Sequence, residues 1–377
     1  MTPHLLRLSP HLQSVPDYRS GTTQEDAARR SGIAEVVKLS SNENALGPSR
    51  RAVAAVRTAA RTLHLYPPAS DEGLREKLAK LEGREYSADQ IVCGQGASDV
   101  LGMIGDAFLE AGDEAILCPP TFPLYGIVIA RRGARAVRVP LAGPRFEYDV
   151  EGILAAVTPS TRLVFLCSPV NPTGTLLTAD RAARLMERLP RHVLAVFDES
   201  YRDFVDDAAA SDARVFVRAG LPALALRSMS KSWGLAGLRV GWGLAPADVA
   251  GYLRRLRGPF AMGSLAIAGA SAAADDLGHV ARSRRLVIRE RAWLFRELAR
   301  RGLGPVPSQA NFVLFQPGRP PETVYEQLLD RGVVVRPAAF FDRPESIRVT
   351  VGVRAQNRRF LDALDSVLSA EPAGTGT

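Results

Sequence analysis

Residues 162–174 read Arg-Leu-Val-Phe-Leu-Cys-Ser-Pro-Val-Asn-Pro-Thr-Gly, a short apolar run that ends in a loop containing two prolines. A strand with one solvent-exposed face alternates apolar and polar residues, whereas a strand buried on both faces is continuously apolar. The run therefore predicts a strand buried on both faces, which is typical of a parallel sheet covered by helices.

Similar apolar runs recur along much of the chain, with amphipathic stretches between them. We predict strands at residues 90–93, 114–118, 136–140, 162–166, 193–197, 223–226 and 240–244. Helical patterns at residues 99–110 and 179–189 separate some of these runs. Strands that alternate with helices predict an α/β fold, with a mostly parallel central sheet flanked by helices.

The pattern changes after about residue 246. Long helical stretches come first, then short strand patterns at residues 311–315, 333–336 and 347–351, then a final helix. This order predicts a smaller α+β domain, which the amino-terminal segment joins. We place the large α/β domain at residues 45–262 and the small domain at residues 1–44 plus 263–377. A chain of 377 residues, 46% of them hydrophobic, is long enough for two such domains.

The net charge of +8 would suit a nucleic-acid partner if the charges were clustered on one surface. The densest run of arginines, residues 282–301, also contains apolar residues at helical spacing, namely Ile288, Ala292, Phe295 and Ala299. We predict that these four form the buried face of a helix and that most of the arginines face solvent. We therefore expect no nucleic-acid partner.

The beginning of the chain and its cysteines also restrict the class of protein. The first twenty residues contain no continuous apolar run, so we expect no signal peptide, no membrane partner and a cytoplasmic location. Cys93, Cys118 and Cys167 lack the paired spacing of metal ligands, and each ends an apolar run. They are predicted to be buried thiols.

Polar residues follow several predicted strands at the carboxyl end, where open α/β sheets bind ligands. The segment Gly94-Gln-Gly-Ala-Ser-Asp99 precedes a helix, and its amide groups are placed to hold a phosphate. Asn171 lies in the proline loop, and Asp198 ends another run with Tyr201 three residues later. Taken singly, each also fits an ordinary turn or helix cap.

The segment after the strand predicted at residues 223–226 indicates one ligand that all of these residues could bind. Residues 228–239 read Ser-Met-Ser-Lys-Ser-Trp-Gly-Leu-Ala-Gly-Leu-Arg, with Lys231 among small and apolar residues. Confinement disfavours the charged amine, and a neutral amine can form a Schiff base with an aldehyde. Ser228, Ser230 and Arg239 can bind a nearby phosphate. Pyridoxal 5′-phosphate requires such a lysine, a carboxylate for its pyridine nitrogen, donors to its ring oxygen and an anion site. We predict it as the cofactor.

Together these motifs resemble the class I and II aminotransferases, the pyridoxal-phosphate-dependent aspartate aminotransferase superfamily of fold type I. The chain is most similar to the histidinol-phosphate aminotransferase branch. The motifs span residues 36 to about 365 and are specific for the superfamily in this order. They are Leu39-Ser-Ser-Asn-Glu-Asn44, Tyr66-Pro67, residues 94–99, Pro119-Pro-Thr-Phe122, Asn171-Pro-Thr-Gly174, Asp198-Glu-Ser-Tyr201, residues 228–239 and Ile347-Arg-Val-Thr-Val-Gly352.

The resemblance implies a role for each matching cofactor residue. Lys231 would form the Schiff base and carry the proton, and Asp198 would keep the pyridine nitrogen protonated. Asn171 and Tyr201 would bond the ring oxygen, and Phe122 would stack on the ring. The implied phosphate ligands are Ala97, Ser98, Ser228, Ser230 and Arg239.

The resemblance also implies a partner and a substrate site. Tyr66 would reach the phosphate of the neighbouring subunit's cofactor, which implies a homodimer with shared active sites. Arg348 would grip the carboxylate or phosphate of the substrate, with Arg336 nearby. Asn44 and Tyr18 complete the implied substrate site, with Tyr18 closing over the substrate.

The implied reaction moves an amino group between an amino acid or phosphorylated amine, histidinol-phosphate-like or aromatic, and a 2-oxo acid. Departures from the branch pattern lie mostly around the substrate, at Ala45, Leu65, Pro68, Phe122 and residues 337–341. The same cofactor residues also serve β-elimination, decarboxylation or oxidative deamination of an amino acid, so an enzyme of specialised metabolism stays open as the alternative. A transcriptional regulator of this fold is disfavoured, because the segment before Leu39 is too short for a DNA-binding module.

Overall fold

The strands and helices of the protein come from a computed structural model that describes residues 10–18 and 20–370. In chain order the strands are β1 (Val37–Lys38), β2 (Ile91–Gln95), β3 (Glu114–Leu117), β4 (Arg135–Arg138), β5 (Thr161–Cys167), β6 (Leu194–Asp198), β7 (Ala223–Ser228), β8 (Val240–Leu244), β9 (Phe312–Phe315), β10 (Val333–Val334), β11 (Arg336–Pro337) and β12 (Ile347–Thr350).

The helices are α1 (Gln24–Ser31), α2 (Arg50–Ala59), α3 (Glu72–Glu82), α4 (Ala97–Phe108), α5 (Leu124–Arg131), α6 (Val150–Ala155), α7 (Ala179–Arg188), α8 (Ala213–Arg218), α9 (Ala247–Arg255), α10 (Ser264–Ala274), α11 (Leu277–Arg300), α12 (Pro321–Leu329) and α13 (Arg354–Ser369). Short 3₁₀ turns lie at Pro10–Ser14, Ala60–Thr62, Ala88–Gln90, Arg202–Phe204, Ala236–Leu238 and Ala339–Phe341.

Seven strands form the central sheet, in the order β2-β8-β7-β6-β5-β3-β4. Strands β4, β3, β5, β6 and β7 pair in parallel, and β8 pairs antiparallel with both β7 and β2. The predicted α/β fold with a mostly parallel sheet is confirmed. The strands predicted between residues 90 and 244 all occur, with bounds that differ by at most two residues.

The central strand β5 is buried on both faces, as its sequence predicts. Val164 and Leu166 belong to the hydrophobic core on one side of the sheet. Leu163, Phe165 and Cys167 belong to the core on the other side. A sheet covered in this way is accessible to ligands mainly at the strand ends, which is where the polar loops lie.

The carboxy-terminal part of the chain forms a separate antiparallel sheet, in the order β11-β12-β9, with its own hydrophobic core. Strand β1 pairs in parallel with β10, so the amino-terminal segment lies against this part of the chain. This pairing agrees with an amino-terminal segment that joins the small domain. The domain boundaries themselves, at residues 44/45 and 262/263, stay a prediction.

The strand predicted at residues 333–336 is two short strands in the structure. Val333 and Val334 pair with β1, whereas Arg336 and Pro337 pair antiparallel with β12. The apolar run extends unbroken through Val335, so the sequence does not show that the chain changes its partner strand there.

Helix α11 confirms the helix predicted from the arginine-rich run, but the predicted buried face is wrong. Ile288, Ala292, Phe295 and Ala299 are exposed or only partly buried. The buried residues are His279, Ser283, Val287, Glu290, Arg291, Leu294 and Leu298. Arg291 is buried because it donates to the Phe204 and Ala310 carbonyls and forms an ion pair with Asp206. The buried face therefore carries charged residues that hydrophobic periodicity cannot detect.

Cys93, Cys118 and Cys167 are free, buried thiols, as predicted. Burial raises the pKa of each thiol. Within residues 10–18 and 20–370, no helix is both long enough and apolar enough to span a membrane.

Candidate active site

The polar loops at the carboxyl ends of β5, β6 and β7 meet the amino terminus of α4 around a cavity of about 280 Å³. The cavity is lined by thirteen of the residues predicted for the site, which are Tyr18, Ala97, Ser98, Phe122, Asn171, Asp198, Tyr201, Ser228, Ser230, Lys231, Arg239, Arg336 and Arg348. They come from distant parts of the chain. Most of them follow strands of the central sheet that end at the same edge, whereas Arg336 and Arg348 reach the cavity from the antiparallel sheet β11-β12-β9 and Tyr18 from the amino-terminal segment.

Lys231 follows β7 and projects its amine among groups from three segments of the chain. Its Nζ donates to the Ser41 carbonyl at 3.2 Å and lies 5.5 Å from the centre of the Tyr201 ring. Burial, and then the positive charge of Arg348, lower the pKa of the Lys231 ammonium from 10.5 to about 8. A large fraction of this amine is therefore neutral at mildly alkaline pH, as a nucleophilic or basic lysine requires.

Asp198 is the last residue of β6 and is only 6% exposed. The Tyr125 hydroxyl donates to its Oδ2 at 2.8 Å. The backbone N–H and the hydroxyl of Ser200 both donate to its Oδ1, at 3.1 and 2.6 Å. A buried carboxylate needs such donors, which offset its desolvation and orient it. Asp198 thus presents an oriented carboxyl group to the cavity.

The amino terminus of α4 and the loop after β7 form an anion-binding corner of the cavity. Gly96 caps α4 with a φ of +84°, and a Cβ atom there would overlap the Arg239 guanidinium. Arg239 Nη1 donates to the Ser230 hydroxyl at 3.3 Å and to the Ala236 carbonyl at 3.0 Å. Hydroxyls, a guanidinium and a helix amino terminus are together suited to bind a phosphate.

Two arginines lie on neighbouring strands at another part of the cavity wall. Arg348 on β12 pairs in register with Arg336 on β11. Arg348 is 4% exposed, and its guanidinium donates to Asn171 Oδ1 and, at 2.7 Å, to the Ser40 carbonyl. Burial lowers the pKa of Arg348 to about 10. Its Nε is buried and has no hydrogen-bond partner among residues 10–18 and 20–370. Arg348 therefore has a donor available for a bound anion.

Aromatic rings cover the cavity near these arginines. Tyr18 packs edge-to-face against Phe122, with ring centres 6.3 Å apart, and against Phe340 at 5.8 Å. The Phe341 ring centre lies 5.0 Å from the Arg348 guanidinium carbon. These rings provide an apolar surface for a planar group on a ligand.

Two residues predicted for the site do not line this cavity. The Asn44 amide donates to the Ser232 carbonyl and to the Ser283 hydroxyl, both at 2.8 Å, and its predicted contact with substrate stays a prediction. Its donors hold the loop beside Lys231. Tyr66 is 82% exposed and stacks on Phe260, with ring centres 4.7 Å apart. Its predicted contact with a neighbouring subunit stays a prediction.

Sequence reasoning missed residues that hold the predicted ones in place. Tyr125 bonds Asp198, and the Asn42 amide donates to the Tyr201 hydroxyl at 3.0 Å. Asn42 belongs to the quoted motif at residues 39–44, which was a usable signal. Tyr125 lies inside α5, where nothing in the local sequence distinguishes it from a core aromatic residue.

Comparison with known proteins decides the family. The family described as "Aminotransferase class I and II" matches residues 34–364. The chain belongs to this family. The resemblance drawn from the sequence is thereby confirmed, together with the enzyme class and its pyridoxal 5′-phosphate cofactor.

Several relatives of this aminotransferase have a named activity. It is 42% identical to the histidinol-phosphate aminotransferase of Symbiobacterium thermophilum, over 95% of this chain and 97% of the relative. It is 39% identical to that of an Anaeromyxobacter species, over 96% and 99% of the two chains. A crystal structure of the Sinorhizobium meliloti histidinol-phosphate aminotransferase in complex with pyridoxal-5′-phosphate superposes with a TM-score of 0.86 at 28% identity, covering 96% of this chain and 97% of that one.

The residues present in this aminotransferase fit pyridoxal 5′-phosphate. The cavity contains an amine with a lowered pKa, a buried carboxylate with three hydrogen-bond donors, and an anion-binding corner. These are the groups that the aldehyde, the pyridine nitrogen and the phosphate of the cofactor need.

Proposed function

We propose that this protein is a pyridoxal-phosphate-dependent aminotransferase that transfers the amino group of histidinol phosphate, or of a closely similar phosphorylated amine, to a 2-oxo acid. The observation that carries the proposal is that Lys231 and Asp198 line one cavity that also contains two separate anion-binding groups. The names and high coverage of the relatives support the choice of substrate.

The proposed chemistry assigns each residue one task. Pyridoxal phosphate, when bound, supplies the electron sink that stabilises a carbanion at the substrate α-carbon. Lys231, whose pKa is lowered to about 8, would take the α-proton of the substrate as general base and, as general acid, would return it to the carbon that came from the cofactor's aldehyde. Asp198 would face the pyridine nitrogen with its carboxyl group and would keep a proton on that nitrogen.

Two anion sites orient the reacting molecules. Ser228, Ser230 and Arg239, with the amino terminus of α4, hold the phosphate of the cofactor. Arg348 and Arg336 bind the phosphate of the amine or, in the second half-reaction, the carboxylate of the 2-oxo acid. The unpartnered Arg348 Nε supports this assignment, since a bound anion would satisfy it.

The aromatic surface of the cavity is consistent with a substrate that carries a ring. Tyr18, Phe122 and Phe341 line the cavity together with both arginines. An imidazole or phenyl ring can pack against these side chains while the anion of the substrate meets the guanidinium groups. An aromatic amino acid is therefore the second amino donor to test.

The proposed assembly is a homodimer in which Tyr66 completes the cofactor site of the other subunit. Tyr66, Leu63 and Leu65 are exposed and close together in the chain, and Phe260 packs on Tyr66. Exposed apolar residues grouped in this way are typical of an interface. A cytoplasmic location remains a proposal that rests on the sequence.

Covalent trapping tests the central lysine. Borohydride reduction of the holoenzyme should fix the cofactor on Lys231, identified by mass spectrometry of peptides, and Lys231→Ala should remove both the adduct and turnover. Lys80→Ala, at an exposed position of α3, is the matched control and should retain the adduct. An adduct on another lysine would refute the assignment.

A panel of amino donors tests the reaction. Histidinol phosphate should convert the bound cofactor to its pyridoxamine form, and a 2-oxo acid should restore the original absorbance. Phenylalanine and tyrosine form the second arm of the panel. Release of ammonia or carbon dioxide without the pyridoxamine form would favour elimination or decarboxylation instead.

Mixed dimers test the shared site. A Lys231→Ala subunit and a Tyr66→Ala subunit are each expected to be nearly inactive alone. If Tyr66 acts across the interface, the mixed dimer has one intact site and regains activity. Failure of the mixture to regain activity, with dimers present in gel filtration, would contradict the proposal.

A further inference from the structure

The motif at residues 39–44 has a buried residue, Asn42, that neither the cofactor nor the substrate assignment uses. Asn42 is 1% exposed and has a φ of +56°, a left-handed conformation that asparagine tolerates better than most residues. The Asn311 amide donates to the Asn42 carbonyl at 3.0 Å. The backbone at Asn42 is therefore held in an unusual conformation by a specific contact.

The orientation of the Asn42 side chain follows from Thr350 on β12. The Asn42 backbone N–H donates to the Thr350 hydroxyl at 2.9 Å. That hydroxyl donates its own proton to Asn42 Oδ1 at 3.2 Å. With Oδ1 committed to Thr350, Nδ2 points to the Tyr201 hydroxyl, 3.0 Å away. The hydrogen-bond pattern thus identifies the end of the amide that faces Tyr201.

This contact restricts the proton of Tyr201. A phenol oxygen that accepts a hydrogen bond from an amide N–H still has one proton of its own to donate. Since Asn42 Nδ2 has no acceptor capacity, that proton must be directed elsewhere, and Tyr201 lines the cofactor cavity. An accepted hydrogen bond also polarises the phenol and makes it a better donor.

We propose that Asn42 is a positioning residue that directs the Tyr201 hydroxyl proton to the ring oxygen of the bound cofactor. The proposal rests on the proposed role of Tyr201 as a ligand of that oxygen. Thr350 lies two residues after Arg348 on β12, so the same strand orients Asn42 and presents the substrate-binding arginine.

The test is the pH midpoint of the absorbance change of the holoenzyme, which reports loss of the Schiff-base proton. A hydrogen bond donated to the ring oxygen stabilises negative charge there and weakens the hold of this oxygen on the Schiff-base proton. Removing the donor should therefore raise the midpoint. For Asn42→Ala we expect a rise of about 0.5 to 1 pH unit and a cofactor Kd raised about 2- to 10-fold.

Companion variants separate this role from a general loss of structure. Asn42→Asp keeps the size of the side chain and its tolerance for a positive φ, but its carboxylate would accept the Tyr201 proton, so the midpoint should also rise. Asn357→Ala removes a fully buried asparagine that bonds Gly352 and Glu290, outside the cavity lining, and should leave the midpoint unchanged.

The Tyr201→Phe background makes the outcome decisive. Tyr201→Phe alone should raise the midpoint, and adding Asn42→Ala to it should change the midpoint little further. The proposal is overturned if Asn42→Ala leaves the pH midpoint of the otherwise wild-type protein unchanged. It is also overturned if Asn42→Ala shifts the midpoint equally in the wild-type and Tyr201→Phe backgrounds. If Tyr201→Phe itself leaves the midpoint unchanged, the proposed cofactor role of Tyr201 fails, and the role of Asn42 fails with it.

Discussion

Replacing Lys231 by methionine is expected to stabilise the cofactor-free protein at neutral pH. Burial and the charge of Arg348 lower the pKa of the Lys231 ammonium from 10.5 to about 8. The charged form of Lys231 therefore destabilises the folded state. That difference corresponds to about 3 kcal/mol of folding free energy at pH 7. Loss of the hydrogen bond from Nζ to the Ser41 carbonyl removes about 1 kcal/mol of this gain. We expect a net gain of about 2 kcal/mol.

The sign of the pH dependence follows from proton linkage. The folded-state pKa of Lys231 lies below its unfolded value, so the unfolded chain binds more protons between pH 8 and 10.5. Wild-type stability therefore rises with pH across this window through this residue. Methionine at position 231 cannot contribute such a rise. The advantage of the variant should be full at pH 7 and should disappear near pH 10.

Equilibrium urea unfolding of the cofactor-free proteins, followed by circular dichroism from pH 7 to pH 10, measures this difference. The matched control is Lys80→Met at an exposed position of α3, for which we expect a change within about 0.5 kcal/mol at every pH. A Lys231→Met protein that is less stable than wild type at pH 7, or an advantage that does not depend on pH, would refute the reasoning.

Other substitutions test other parts of the structure. Arg348→Ala should raise the KM for the phosphorylated amine at least about tenfold in steady-state kinetics, because a charged hydrogen bond contributes about 1.5–3 kcal/mol; an unchanged KM would place the anion elsewhere. Glu82→Ala should lower the free energy of unfolding by about 3 kcal/mol, because it removes a carboxylate that pairs with the buried Arg227; a loss below about 1 kcal/mol would contradict this. Gly241→Ala should raise the cofactor Kd at least about tenfold in a fluorescence titration, since its Cβ would overlap the Ala97 backbone at the phosphate-binding turn. A normal Kd would show that the turn can shift.

The sequence was sufficient to predict the residues at the strand ends. Asp198 follows a continuous apolar run, and Lys231 lies in a loop where a lysine is out of place beside small and apolar residues. Both signals are local, and parallel sheet topology brings such residues to one edge. The fold class and the polar residues at these strand ends could therefore be predicted without the structure, whereas Ser41, Asn42 and Phe341 also line the cavity and were not predicted.

Contacts between distant segments could not be predicted in this way. Tyr125 reaches Asp198 across 73 positions of the chain, and Asn42 reaches Tyr201 across 159. Asn44 has a side chain that could bind a ligand, but its amide donates hydrogen bonds to Ser232 and Ser283. In α11 the buried face includes Arg291 instead of the predicted apolar residues. Arg291 can be buried there because its partner Asp206 comes from another segment of the chain. Each of these contacts involves a polar group whose partner is set by tertiary packing.

The register between β11 and β12 separates two properties of the proposed substrate site. The pairing of Arg336 with Arg348 sets the spacing of the guanidinium groups, whereas residues 338–346 connect the two strands and carry Phe340 and Phe341. Insertions or exchanges within this connection can reshape the apolar wall while both positive charges keep their places. Gene duplication followed by change in this one segment would thus yield enzymes with new amine preferences and an unaltered requirement for an acidic group.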